Sequence, residues 1–150
     1  MVVIGSQAIL ASFPDAPDEL LVSMEADLYP RDEPEKADLI DGSIGEMSPF
    51  HGAFGYYAHG VGPDTAMLPG KWRDRLVRLE NADTGGCVGW CLSPSDLAVS
   101  KLLAGREKDF LFVTTMIHHQ MVRKPELEAL ALELSSPNAE ILRGRLSCCR

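Results

Sequence analysis

The segment from Glu19 to Leu28, ELLVSMEADL, alternates strictly. Leu20, Val22, Met24, Ala26 and Leu28 fall on one side, and Leu21, Ser23, Glu25 and Asp27 on the other. A period of two is the signature of a β-strand, because successive side chains leave a pleated backbone on opposite faces. The pattern predicts a strand over 19–28 with one buried face and one face carrying acids. Residues i and i+2 of such a strand stand about 7 Å apart, so Glu25 and Asp27 project side by side. Two like charges so placed repel, and something must neutralise them. A divalent cation does so, and hard oxygen donors on a rigid strand suit Mg²⁺, which completes its shell with waters and substrate phosphates. Paired acids on a solvated strand face are also common without an ion, and this segment alone leaves both readings open.

Upstream, MVVIGSQAIL reads as a short buried strand at residues 2–4, a Gly5-Ser6 corner, and a helix of two turns over Gln7–Phe13 stopped by Pro14. A strand that turns through glycine into a helix start presents backbone amides able to hold a phosphate. Nineteen residues separate Ser6 from Glu25. The order strand, glycine turn, short helix, acid-bearing strand is the combination a polymerase-like site uses. There the turn grips the terminal phosphates of a nucleotide and the carboxylates hold a metal against them.

The remainder of the chain bounds these readings. A length of 150 residues, 45% hydrophobic and 24% charged, is that of one globular domain with a sizeable core. No apolar run reaches bilayer length and no basic segment precedes the first one, so the expectation is a cytoplasmic protein without a membrane segment. Cys87, Cys91, Cys148 and Cys149 match neither a disulfide framework nor a zinc site and read as reduced thiols. A net charge of −8 excludes bulk DNA binding by a basic surface. Local basic groups remain at Lys71, Arg73, Arg75 and Arg78, and at Arg143, Arg145 and Arg150; the first two of the tail group read as RNA-binding or simply solvated. His51, His59, His118 and His119 fit no ligand template and read as polar or substrate-lining groups.

Pro30–Pro34 reads as a loop, and KADLIDGSIGEMSPF as a short helix broken at Gly42 and Gly45. GYYAHGV, TAMLP, RLVRLEN and VGWCLS read as four short, mostly antiparallel strands. Ser93-Pro94-Ser95-Asp96 is a helix start, followed by a helix to Gly105, a second over REKDFLFVTTMIHHQMV, and two more in EALALELS and NAEILRGRL. The fold class is therefore α/β (α+β): a mixed twisted sheet flanked by helices. A single domain spans 1–150, with its core over about 1–122 and a C-terminal helical segment over about 123–150.

GSQAIL followed by SMEADL resembles the GS…[DE]x[DE] signature of the nucleotidyltransferase superfamily. DLAVSKLLAGREKD resembles the lysine-containing third motif of AbiEii-type abortive-infection nucleotidyltransferases, and SPFHGAFGYYAHGV with TAMLPGKW is similar to an uncharacterised bacterial nucleotidyltransferase-like family allied to them. The three motifs fall in order across residues 1–122. The resemblance implies a nucleotidyltransferase-like sheet, with Gly5 and Ser6 on the triphosphate and with Glu25 and Asp27 as catalytic acids that ligate Mg²⁺ (or Mn²⁺). It places Lys101 on a phosphate or among the catalytic groups, with Arg106, Lys108 and Asp109 completing the nucleotide-binding motif. Independently, a spacing of seven on one helix puts Lys101 and Lys108 on one face, where two cations suit a polyphosphate; the plain alternative is a solvated charged face.

The chain also departs from the pattern. Glu25 stands where many members have Asp. Many relatives carry a helix before the first strand, which leaves a piece of the fold to be absent here or supplied by a partner. The third carboxylate expected on a neighbouring strand has no motif; Glu80 is the nearest offering. What the resemblance implies is transfer of a nucleoside monophosphate from an NTP to a tRNA 3′ end or a protein hydroxyl, in a bacterial toxin–antitoxin or phage-defence system. The alternative is a catalytically degenerate fold acting as an antitoxin or protein-binding module beside a cognate toxin or antitoxin. A third reading is an oligomeric structural protein whose early strand is completed by another subunit.

Overall fold

The first apolar run becomes the middle strand of a five-stranded sheet. In a computed structural model that describes all residues, Met1–Arg150, β1 (Val2–Val3) lies between β2 (Glu25–Tyr29) and β5 (Gly89–Cys91), with β3 (Tyr57–Gly60) outside β2 and β4 (Val77–Leu79) outside β5. The sheet is mixed: β1 pairs antiparallel with β2 and parallel with β5, β2 parallel with β3, and β4 antiparallel with β5. The fold class is α/β, as the sequence predicts.

The chain resolves into two compact units, one of residues 1–65 and 76–92, the other of residues 66–75 and 93–150. The first holds the whole sheet. Val2, Ile4, Tyr29, Cys91 and Leu92 are buried within it, as are Ala8 and Ile9 of the helix that follows Gly5. That helix is 3₁₀ over Ser6–Ala11. Parallel strands need a crossover, and β2 reaches β3 through α1 (Asp38–Ile44) and α2 (Pro49–Phe54). The first of these runs through Gly42 and ends at Gly45, so only the second glycine is a break.

The long alternating strand predicted over 19–28 is shorter in the structure. Asp18–Leu20 is a 3₁₀ turn and β2 starts at Glu25. Leu20 is buried, but Val22 and Met24 are 79% and 63% exposed. The alternation there is real in the sequence but has no neighbouring strand to pair with, since β1 ends at Val3 and β3 begins at Tyr57.

The second unit is helical. α3 (Pro94–Ala104) is capped by the Ser93 hydroxyl, which accepts from the Asp96 amide at 3.1 Å, as the sequence predicts. Then come α4 (Glu107–His118), α5 (Lys124–Leu130) with a 3₁₀ extension over Ala131–Glu133, and α6 (Ser136–Leu146). TAMLP is not a strand. The stretch after it turns its amides to the helices instead: Gly70 N donates to the Glu133 carbonyl at 3.0 Å and Lys71 N to the Glu133 carboxylate at 3.1 Å. Arg145 is likewise neither solvated nor presented to a ligand. Its Nη1 donates to the carbonyls of Leu102 and Leu103 at 2.6 and 2.7 Å, closing the C-terminus of α3. All four cysteines are free, with Cys91 and Cys149 buried. No helix is long and apolar enough to cross a membrane.

Arg75 organises this unit. It donates to both carboxylate oxygens of Asp96 at 2.9 and 2.8 Å and to both of Glu133 at 3.1 and 3.0 Å. Asp96 is fully buried, so its charge depends on this fork and on the Ser93 hydroxyl at 2.6 Å. Removing one member of a buried pair strands the other and costs about 3–5 kcal/mol. Arg75→Ala is therefore expected to lower stability by about 3 kcal/mol, with Asp96 still held by Ser93, whereas substitution of exposed Arg73 is expected to stay within about 0.5 kcal/mol; urea denaturation of the two variants checks the contrast.

Candidate functional site

Register builds the site. Ile4 N donates to the Asp27 carbonyl at 3.0 Å, extending the β1–β2 ladder by one step and delivering Gly5 onto the face of β2 that carries Glu25 and Asp27. The fit is close enough to require glycine: a Cβ on Gly5 would lie 2.6 Å from Asp27 Oδ2 and 3.0 Å from Asp27 Cβ. Ser6 opens the 3₁₀ helix directly after this contact. Gln7, next along, donates from its side-chain amide to the Ser23 carbonyl, and the Ser23 hydroxyl in turn donates to the Glu25 carbonyl at 3.0 Å. Thus the glycine turn and the acid-bearing strand are fastened together at both ends.

From the other side, β3 contributes two groups to the same face. Its register sets Tyr57 opposite Glu25 and His59 opposite Asp27. Tyr57 donates its hydroxyl to Glu25 Oε2 at 2.9 Å. His59 Nδ1 stands 3.4 Å from Asp27 Oδ1 and 3.6 Å from Glu25 Oε1. The ligand-capable atoms of Glu25, Asp27 and His59 all lie within 4.8 Å of one another. Their side chains are 38%, 31% and 51% exposed, so the cluster is braced from below and open above. His51 packs its ring on Tyr57 at 4.8 Å.

At this separation two carboxylates repel by between about 1 and 4 kcal/mol, from bulk water to a surface dielectric near 20. The surroundings offset much of that. Burial pushes the Glu25 carboxyl up, but hydrogen bonding with Asp27 and Tyr57 and the nearby His59 outweigh it and hold the group below its ordinary 4.5. Conversely, the hydrogen bond to Glu25, with burial and the adjacent negative charge, pushes the Tyr57 phenol up to about 12. Tyr57 therefore stays a donor across the physiological range. Tyr57 also borders a pocket of about 500 Å³ lined by Gln7, Ser23, Met24, Ala26, Gly55 and Tyr56. That size and apolar character suit a small organic ligand.

Of the residues singled out in the sequence, Gly5, Ser6, Glu25 and Asp27 meet in the first unit. Lys101, Arg106, Lys108 and Asp109 belong to the second. There Asp109 is 1% exposed and accepts from the Arg106 backbone N at 3.2 Å and from its guanidinium at 2.7 and 3.1 Å, with Lys101 Nζ at 3.5 Å. Burial raises the Asp109 carboxyl, and these cations more than reverse it. Lys101 also lies over the Phe112 ring at 5.2 Å. Lys101 and Lys108 do not share a helix face, because Gly105 at φ 70° ends α3 between them. Glu80 follows the edge strand β4 and pairs with Arg78. It is three strands from β2, about 14 Å at normal strand spacing.

Sequence reading missed Tyr57 and His59 as neighbours of the acids. Their signal was present in the alternation of Tyr57 and His59 around Ala58, but it needed a parallel partner strand to acquire meaning. Tyr57→Phe removes one of the groups that keep Glu25 charged. A lowered carboxyl stabilises the folded state above its unfolded value and loses that contribution as pH falls through the folded one. The variant should therefore show the Glu25 titration moved upward, measured by carboxyl carbon NMR, and should be less stable at neutral pH but lose less stability than the native protein as pH falls below 4.5.

No curated protein and no solved structure matches the chain. A family model described as "Nucleotidyltransferase of unknown function (DUF6036)" matches residues 1–143. With its sheet, its glycine corner and its acid pair all inside that span, the chain belongs to the DUF6036 family of nucleotidyltransferases of unknown function.

Proposed function

We propose that this chain is a metal-dependent transferase that moves a nucleoside monophosphate from an NTP to a hydroxyl, on a tRNA 3′ end or a protein side chain. The reading rests on one observation above the others: the backbone of Gly5 is packed so tightly against Asp27 that a methyl group would not fit between them. A phosphate received at the Gly5-Ser6 turn would thus lie beside the paired carboxylates. The donor set suits a divalent cation, since two carboxylates and an imidazole converge on one solvent-open point. Glu25 and Asp27 would hold Mg²⁺ or Mn²⁺, which when bound supplies neutralisation of the acids and Lewis-acid stabilisation of charge on phosphoryl oxygens.

The chain's own groups supply the rest. Backbone amides at the turn orient the polyphosphate. Tyr57 fixes the rotamer of Glu25 and, remaining protonated, presents no competing charge. One of the acids accepts the proton of the attacking hydroxyl as its oxygen bonds to the α-phosphorus, the bond to the bridging oxygen breaks, and pyrophosphate leaves. The pocket that Met24, Ala26 and Tyr56 help to line has room for a nucleoside-sized organic group. Within the helical unit, Asp109 orders Lys101 and Arg106, two of the cations of the AbiEii-type third motif.

A second reading, a binding module of a cytoplasmic toxin–antitoxin or phage-defence pair, is favoured by a different observation. Met47, Phe54 and Tyr56 are exposed apolar side chains, at 92%, 60% and 54%, and Phe50 links the last two rings at 4.8 and 5.4 Å. Such a patch suits a protein partner.

Thermal unfolding with each NTP and Mg²⁺ separates the readings. An NTP at a hundredfold its Kd stabilises the native state by about 2.7 kcal/mol, a rise in Tm of several degrees for a chain of this size. That rise should vanish in Asp27→Ala and shrink sharply in Gly5→Ala. Incubation with labelled NTP, total tRNA and a protein extract should then place label on RNA or on protein with the native chain only. No shift with any NTP and no label on either acceptor would leave the binding module.

A further inference from the structure

We propose that His59 is a third metal donor, and that it tunes this site toward Mn²⁺ over Mg²⁺. The inference rests on the reading that the acid cluster holds the divalent cation of a nucleotidyltransferase. The sheet places His59 where a third carboxylate would be expected, on the neighbouring strand, directly opposite Asp27. Glu80, the alternative acid, is occupied by Arg78 beside the far edge of the sheet. Donors adjacent on an octahedral ion with bonds of about 2.1 Å lie about 3 Å apart, and opposite ones about 4.2 Å. His59 Nδ1 is 3.4 and 3.6 Å from the nearest oxygens of Asp27 and Glu25. Side-chain adjustments of well under 1 Å convert this spacing into a coordination set, and half-exposed side chains can make them without disturbing the core.

Donor chemistry then sets the preference. Mg²⁺ demands near-ideal octahedral geometry, dehydrates reluctantly and keeps to oxygen, whereas Mn²⁺ accepts carboxylates equally well and, as a first-row transition ion, gains more from an imidazole nitrogen. A two-carboxylate, one-imidazole set therefore discriminates between two ions that two carboxylates alone would treat alike. The competing role for His59 is that of a protonated counter-ion to the acids. That role has the opposite consequence, because an imidazolium excludes a cation and its removal would strengthen metal binding.

Titration of the native protein at pH 8 with Mn²⁺, following the free-ion electron paramagnetic resonance signal and competing with Mg²⁺, tests the proposal without NTP or turnover. The expected result is Mn²⁺ held at least tenfold more tightly than Mg²⁺. In His59→Ala, Mn²⁺ affinity should fall ten- to hundredfold while Mg²⁺ affinity changes by less than about threefold. Electron spin echo modulation from a bound nitrogen should be present in the native protein and absent in the variant. His59→Phe, which keeps a flat ring but offers no donor atom, should behave as His59→Ala, and urea midpoints in EDTA confirm that both variants fold. Unchanged or tighter Mn²⁺ binding in the variants, or no nitrogen modulation in the native protein, overturns the proposal. An NTP-induced Tm rise that persists in His59→Ala with Mg²⁺ would leave the transferase reading standing even so. Nitrogen-coordinated Mn²⁺ without any NTP binding would do the reverse, keeping the metal assignment and removing the transferase.

Discussion

The first unit depends on a strand of two residues. Val2 and Val3 are hydrogen-bonded on both sides, to β2 running one way and to β5 running the other. Trp90 N donates to the Met1 carbonyl at 2.8 Å and Leu92 N to that of Val3 at 3.1 Å, while Ile4 N reaches Asp27 at 3.0 Å. So short a strand has little intrinsic tendency to form, and its position is fixed almost entirely by its neighbours and by burial of Val2 and Ile4. The consequence is strict register. A slip of one residue would turn the side chains of β1 to the opposite faces and would carry Gly5 away from Asp27, leaving a bulkier residue where the carboxylate now stands.

Much of this was legible because it is local. The Gly5-Ser6 corner, the Ser93 cap and the Gly105 stop each follow from the conformational preferences of one or two residues. The acid pair was legible in its separation and common face, which the pleat fixes once β2 exists. What escaped the sequence is non-local. Leu20 and Val22 carry a strand's alternation but find no strand to pair with, and Met24 is met only by the Tyr57 amide at 3.0 Å, so periodicity overstated β2 by several residues. TAMLP is a short apolar run set between turn residues, yet the amides that follow it are satisfied by Glu133, more than sixty residues away. His59 looked unremarkable for the same reason, because its partners are set by a parallel pairing reached through α1 and α2.

The two units use acidic residues in contrasting ways. In the helical unit, Asp96 and Asp109 are buried, and each is saturated: Asp96 by the Arg75 fork and Ser93, Asp109 by Arg106 and Lys101. No buried side-chain nitrogen or oxygen in the protein lacks a hydrogen-bond partner. Such carboxylates are committed to structure, since their cations stand within salt-bridge distance and solvent reaches them hardly at all. Their removal is costly because the partner charge would remain in a poorly solvated place.

Glu25 and Asp27 follow the other pattern. They stand together with the Tyr57 phenol and the His59 imidazole. Where Asp96 is buried beneath an arginine fork, the side chains of this cluster stay between 31% and 51% exposed. Burial raises the Glu25 carboxyl and hydrogen bonding with Asp27 and Tyr57 and the nearby His59 more than reverse it, so repulsion of between about 1 and 4 kcal/mol is partly offset within the cluster itself. The wall behind the cluster is fixed as well, where Gly5 brings backbone to within the reach of Asp27 and Tyr57 holds Glu25 through its hydroxyl. The contrast follows from these distances: the helical unit sets its cations against its own buried carboxylates, and the sheet holds two half-exposed carboxylates beside a phenol and an imidazole.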